Sequence, residues 1–195
     1  MITPDTKDWT WVLERPCADC GLDTSALLFE AVPGLVRANA EFWTTLLDGD
    51  GDGDGDGDGG GGDGGGGVEG LRERPAPGVW APLEYACHVR DVFRTIEGRL
   101  RLMLAEDGPV FADWDQDATA VEERYREQDP AVVAGEIALA AERLAGVQAA
   151  VPAAGRQRAG QRSDGARFTV ESLSRYTVHD VVHHRYDVTG EQQGG

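Results

Sequence analysis

Between Asp48 and Gly67 the chain contains only aspartate and glycine, seven of the first and thirteen of the second. No other feature constrains the fold of this 195-residue chain as strongly. Glycine at that density loses too much backbone freedom to be held in a helix or strand. Seven carboxylates also repel one another, so the tract reads as a disordered loop. The fold must come from the 175 residues on either side, which keep 14 of the 27 glycines. That is an ordinary load, and enough chain for one hydrophobic core but not two. The tract does contain Asp-x-Asp-x-Asp-Gly, the opening of an EF-hand calcium loop. Counted from Asp48 the twelfth residue is Gly59, and from Asp52 it is Asp63, where a bidentate glutamate is required. Weak, nonspecific calcium binding is therefore the lesser reading of the tract.

The net charge is −17, falling to −10 without the tract. An acidic balance argues against nucleic acid as a partner, because phosphates are held by clustered Lys and Arg. It disfavours anionic membrane surfaces for the same reason. No apolar run is long enough to span a bilayer. Met1 to Trp11 carries Asp5, Lys7 and Asp8 where a signal peptide needs basic and then apolar segments. Three cysteines are too few for a disulfide framework. These features lead to the expectation of a cytoplasmic protein.

Residues 1–22, with Trp9, Trp11 and the Cys17-Ala-Asp-Cys20-Gly21 turn, lack periodicity and read as an irregular arm. The body is expected over 23–190, with 191–195 a short tail. A first helix is expected after Asp23 or Thr24, running to Leu47, with Pro33 breaking or kinking it. A second opens at Trp80-Ala81-Pro82 and carries Val89, Val92, Phe93, Ile96, Leu100 and Met103 as a stripe to about Ala105. A short helix over Ala118 to Glu127 follows. A third long helix begins at Asp129-Pro130 and stops near Pro152. Gly155 to Arg167 reads as a basic loop, and Thr169 caps a fourth helix from Val170 to about Val188. The fold class is all-α, a four-helix up-and-down bundle with room for long crossovers.

All four histidines fall on these helices: His88 on the second, and His179, His183 and His184 on the fourth. The fourth helix offers two i,i+4 pairs, His179 with His183 and Asp180 with His184. Each puts two ligand-type side chains one turn apart on a single face. Measured against the stripe of Val170, Leu173, Thr177, Val181 and Val188, His184 lies about 65° from its centre and Asp180 about 105°. His179 and His183 lie more than roughly 150° away, on the outer face. Sites inside a bundle are built from inward-facing side chains, which favours Asp180 with His184.

Trp80 to His88, a tryptophan and a histidine eight residues apart, resembles the segment that opens the second helix of DinB-like proteins. Those include the mycothiol-dependent maleylpyruvate isomerases and related thiol S-transferases. Asp180-Val-Val-His183-His184-Arg185-Tyr186-Asp187-Val188 is similar to that family's second metal motif, with Asp180 in place of the usual His or Glu. The resemblance implies metal ligands at His88, Asp180 and His184. A one-residue shift gives instead a three-histidine set of His88, His179 and His183. It further implies a divalent ion such as zinc or nickel, with open coordination positions for water or a low-molecular-weight thiol. Asp91 and Asp187 are candidates to orient the histidines. Arg90 and Arg185 are candidates to receive a substrate carboxylate.

Cys17 and Cys20 form half a zinc site with no second such pair in the chain. Packing, a structural metal completed by distant ligands, and redox activity remain open for them. Cys87 sits about 100° around the helix from His88 and cannot face the same ion. The leading function is a metal-dependent thiol transferase, isomerase or hydrolase acting on a small molecule. The alternative is a non-catalytic metal-binding bundle for a small molecule or protein partner. Self-association into a homodimer is a further expectation.

Overall fold

A computed structural model describes residues 8–49 and 70–193. Most of the Asp/Gly tract, read above as a disordered loop, lies outside the described residues. Four long helices form the body: α1 (Val32–Asp48), α2 (Pro82–Ala105), α4 (Pro130–Ala149) and α5 (Val170–Thr189). A short helix, α3 (Gln116–Glu122), lies between the second and third of these. No helix of the described residues is long and apolar enough to cross a membrane.

The helix starts follow from local chemistry. Asp129 accepts a hydrogen bond from the Ala131 amide at 2.9 Å, and Pro130 follows it where a missing donor costs nothing. At α5, Thr169 and Ser172 cap each other, each side chain accepting from the other's amide at 3.0 and 2.9 Å. The first helix departs from expectation. It begins at Val32, with Pro33 in its first turn, and two short 3-10 turns, Thr24–Ala26 and Phe29–Ala31, precede it. Asp23 does cap, but it caps the first of those turns, accepting from the Ser25 amide at 3.0 Å. A helix running through residue 33 would lose a backbone bond there; one starting just before it loses none.

Around the bundle, α1 packs against α4 and α5, and α2 packs against the same two. The circular order is thus α1–α4–α2–α5, with α1 and α2 on opposite corners. The steps from α1 to α2 and from α4 to α5 are the long crossovers for which the sequence left room. Leu83, Phe93, Leu100 and Met103 of α2, Trp43 of α1, Ile137 and Leu144 of α4 and Leu173 of α5 are fully buried. Each such side chain contributes about 1.5–3 kcal/mol relative to exposure. Buried Asn39 ties two corners together, donating to the Val181 carbonyl at 2.9 Å and accepting from the Trp43 indole at 3.0 Å.

The segment read as a basic loop holds a two-stranded antiparallel hairpin, β1 (Ala159–Gln161) with β2 (Arg167–Thr169). Its second strand ends on the residue that caps α5, so the hairpin delivers the chain into that helix. The N-terminal segment from Trp9 lies along α5, with Val12, Cys17 and Cys20 buried.

Candidate metal centre

His88 is completely buried near the N-terminal end of α2. Its ring is stacked on Trp114 at 5.5 Å with 4° between planes, and Trp80 packs against it at 5.1 Å. His184 of α5 meets it edge-on at 4.8 Å. Neither ring nitrogen of His88 has a hydrogen-bond partner among the described residues. A buried polar atom left so costs about 1–3 kcal/mol. Burial, with the nearby His184, pushes the His88 pKa down to about 3, so the ring is neutral and holds a lone pair for a ligand.

One potential ligand atom each from His88, Asp180 and His184 lies within 4.8 Å of the others. Burial opposes charge on Asp180, yet its contact with His184 holds the carboxyl down to about 2, so it is ionised. His184 places Nε2 3.3 Å from Asp180 and Nδ1 3.0 Å from Asp187. Burial alone would lower its pKa; the two carboxylates raise it to about 9. Two nitrogens and a carboxylate suit a divalent first-row ion. The unpartnered nitrogens of His88 and the anionic Asp180 fit that group.

The trio opens on one side only. The His88 side is sealed, while the Asp180 and His184 side chains stay 30% and 16% exposed. They face a cleft of about 750 Å³ whose wall includes Trp9, Trp80, Tyr85, Trp114 and Tyr176. Two arginines from distant segments, Arg99 of α2 and Arg162 of the hairpin loop, line it as well. Arg162 is paired with Asp164. Arg99 forms no ion pair among the described residues, and burial and the charge of Arg162 pull its pKa down.

The remaining expected residues divide. Asp187 sits where it can orient a histidine. Asp91 does not: it accepts from Arg90 at 2.9 and 2.8 Å and from the Tyr125 hydroxyl at 2.7 Å, with no bond to His88. Arg90 is buried and spent on Asp91, Glu136 and Gln128. Arg185 lies over the Phe42 ring at 4.7 Å. Neither lines the cleft, and Arg99 and Arg162 stand where a substrate anion would meet positive charge. The sequence reading missed both, since nothing in their local pattern separates them from surface arginines. Cys87 Sγ faces the Tyr125 carbonyl and Gln128, away from the centre. The pair His179 and His183, placed on the outer face by helical geometry, is covered: His179 is 3% exposed, beneath Trp9 and the Cys17–Cys20 turn. The three-histidine alternative does not assemble, because the ligand atoms that cluster with His88 come from Asp180 and His184.

These features define a helical bundle with three potential metal ligands grouped together, two of them lining an open cleft. The chain belongs to the DinB superfamily, whose model matches residues 67–188. Its fold is similar to that of YfiT from Bacillus subtilis, described as a probable metal-dependent hydrolase with an unusual four-helix bundle topology. The two share 16% sequence identity over 86% of this chain and 85% of that one, with a TM-score of 0.65. No curated protein matches the chain in sequence.

Proposed function

We propose that the protein is a metal-dependent enzyme whose His88, Asp180 and His184 hold one divalent ion, zinc or nickel, at the base of the cleft. The observation that carries this reading is His88, buried, neutral and unpartnered at both nitrogens, facing two further ligand atoms. When bound, the ion supplies Lewis acidity and lowers the pKa of a coordinated thiol or water.

The protein's own residues supply the rest. Asp187 holds His184 Nδ1, which fixes the ring with Nε2 towards the site. Trp80 and Trp114 clamp His88 and exclude water from the sealed side. Arg99, with no ion pair among the described residues, gives the cleft a place for a carboxylate or other anionic group. A cleft of about 750 Å³ is in the range that accepts a drug-sized molecule. This room beside the metal ligands, with Arg99 and Arg162 as the two cations in a wall otherwise rich in aspartate, favours a low-molecular-weight thiol as the activated nucleophile and a transferase or isomerase activity. Water in the same role makes the protein a hydrolase, a reading favoured by the likeness to YfiT.

The test is a difference spectrum of the cobalt-loaded protein with and without an added small thiol such as N-acetylcysteine. A saturable thiolate-to-cobalt band that is absent in His88→Ala supports the thiol enzyme. Cobalt binding without such a band, combined with metal-dependent ester hydrolysis, replaces it with the hydrolase. Neither band nor hydrolysis leaves a non-catalytic metal-binding bundle and overturns the enzymatic reading.

A further inference from the structure

The arm and α5 bring together a second set of ligands. One potential ligand atom each from Cys17, Cys20, His179 and His183 lies within 4.8 Å of the other three. Cys17 Sγ is 3.6 Å from His183 Nδ1. His179 Nε2 is buried with no hydrogen-bond partner among the described residues. The two cysteines are 1% and 0% exposed and His179 3%, while the His183 side chain is 14% exposed. We infer that these four residues bind a second metal ion, zinc, which staples the N-terminal arm to α5.

The backbone is shaped for this. The Cys17 amide donates to the Leu22 carbonyl at 2.9 Å, and the Gly21 amide returns to the Cys17 carbonyl at 2.9 Å. That closes a tight turn, which brings both sulfurs into the same cluster. Gly21 sits at φ +77°, where a side chain would be strained. A Cβ there would also meet the Gln193 carbonyl oxygen at 3.1 Å. The Gln193 amide donates to the Cys20 carbonyl at 2.7 Å, so the segment beyond α5 braces the turn as well. On α5, His179 and His183 are one turn apart and present nitrogen to those sulfurs.

The ligand set identifies the ion. Two thiolates and two imidazoles in a compact, buried cluster are the donors of a tetrahedral structural zinc site. All four positions are filled by protein, so none is open for a substrate. The contrast with the first centre is one of coordination: three ligands leave positions open there, whereas four fill the shell here, although His179 and His183 also line the edge of the same cleft. The two i,i+4 pairs of α5 interleave, and each serves a different ion. The second ion has a consequence for the first. Trp9, a wall of the cleft, packs on His179 at 5.6 Å and on His183 at 5.0 Å. Fixing those histidines therefore fixes both that wall and the rotation of the helix that carries Asp180 and His184.

The test is zinc content of untagged protein, reconstituted under reducing conditions and freed of loose metal. We expect about two equivalents in wild type and about one in Cys17→Ser/Cys20→Ser. Cobalt substitution should give thiolate-to-cobalt absorption in His88→Ala, where only the four-ligand site remains, and none in the double serine variant. Should that variant fail to fold, wild type itself carries the test: Cys17 and Cys20 should resist a thiol reagent until a chelator is added. Zinc content unchanged in the double serine variant, or free reaction of both thiols in the metal-loaded protein, would overturn the site. So would a Cys17–Cys20 disulfide forming in zinc-loaded protein. Loss of the first centre alone leaves the cobalt–thiolate absorption in place, so the two assignments fail separately.

Discussion

Asp187 illustrates how a single side chain sets the behaviour of the centre. It holds His184 Nδ1 at 3.0 Å and stands 3.7 Å from His183 Nε2, so of the two carboxylates the sequence offered to orient the histidines it is the one in place to do so. Removing its charge frees the His184 ring to turn and makes it a weaker base. Asp187→Asn is expected to weaken metal binding at the first centre by about 10–100-fold, read by competition with a chromophoric chelator. Helix content should stay unchanged. Arg99 acts further from the ion. If it receives the substrate's anionic group, Arg99→Gln raises KM for an anionic substrate and leaves metal content at the wild-type level. The Asp180–His184 pair was legible as a candidate because a helical repeat projects it onto one face, and His88 was joined to it by the family resemblance; the structure brings the three together. Arg99, Arg162, Trp9 and Trp114 were not legible, because only the tertiary fold brings segments so distant in sequence to one cleft.

The start of α2 carries its own electrostatic lock. Glu84 is 3% exposed and accepts from Arg74 at 2.8 and 2.5 Å and from the Ala81 amide at 2.8 Å. Burial would raise its pKa, but these donors outweigh burial and hold it below its ordinary value. A depressed carboxyl pKa stabilises the folded state above the unfolded value of about 4.3 and loses that contribution as pH falls through the folded value. Glu84→Gln should therefore lower stability near neutrality by about 1–3 kcal/mol. The gap in Tm between the variant and wild type should close in acid. The hairpin makes a steric prediction. A Cβ on Gly160 would lie 2.5 Å from the Phe111 ring and 2.9 Å from Met103, both buried. Gly160→Ala should cost about 1–3 kcal/mol in chemical denaturation. Three-residue strands carry no period that a sequence pattern can reveal, which is why this hairpin read as loop. Pro33 was misread for a related reason: a helix-breaking residue inside a helix also serves as its first turn.

At the scale of the molecule, the four long helices were legible from their periodicity and caps. Their arrangement around the bundle was not. Apolar stripes show which face is buried but not against which partner, and the order α1–α4–α2–α5 is set by long-range packing. The arm explains the clearest misplacement. Helical geometry put His179 and His183 on the outer face, and so they are with respect to the bundle; the arm covers that face. Metal bound to the folded chain and not to the unfolded one stabilises it, by about 2.7 kcal/mol at a hundredfold excess over Kd. Chelation should thus lower Tm, and added zinc should restore it. The central claim is the ion at His88, Asp180 and His184, and anomalous diffraction at the zinc edge from crystals of untagged, zinc-loaded protein tests it most directly. The account predicts an anomalous peak within bonding distance of one nitrogen from each histidine and an Asp180 carboxylate oxygen. Zinc-loaded crystals with no peak among those three side chains would contradict it.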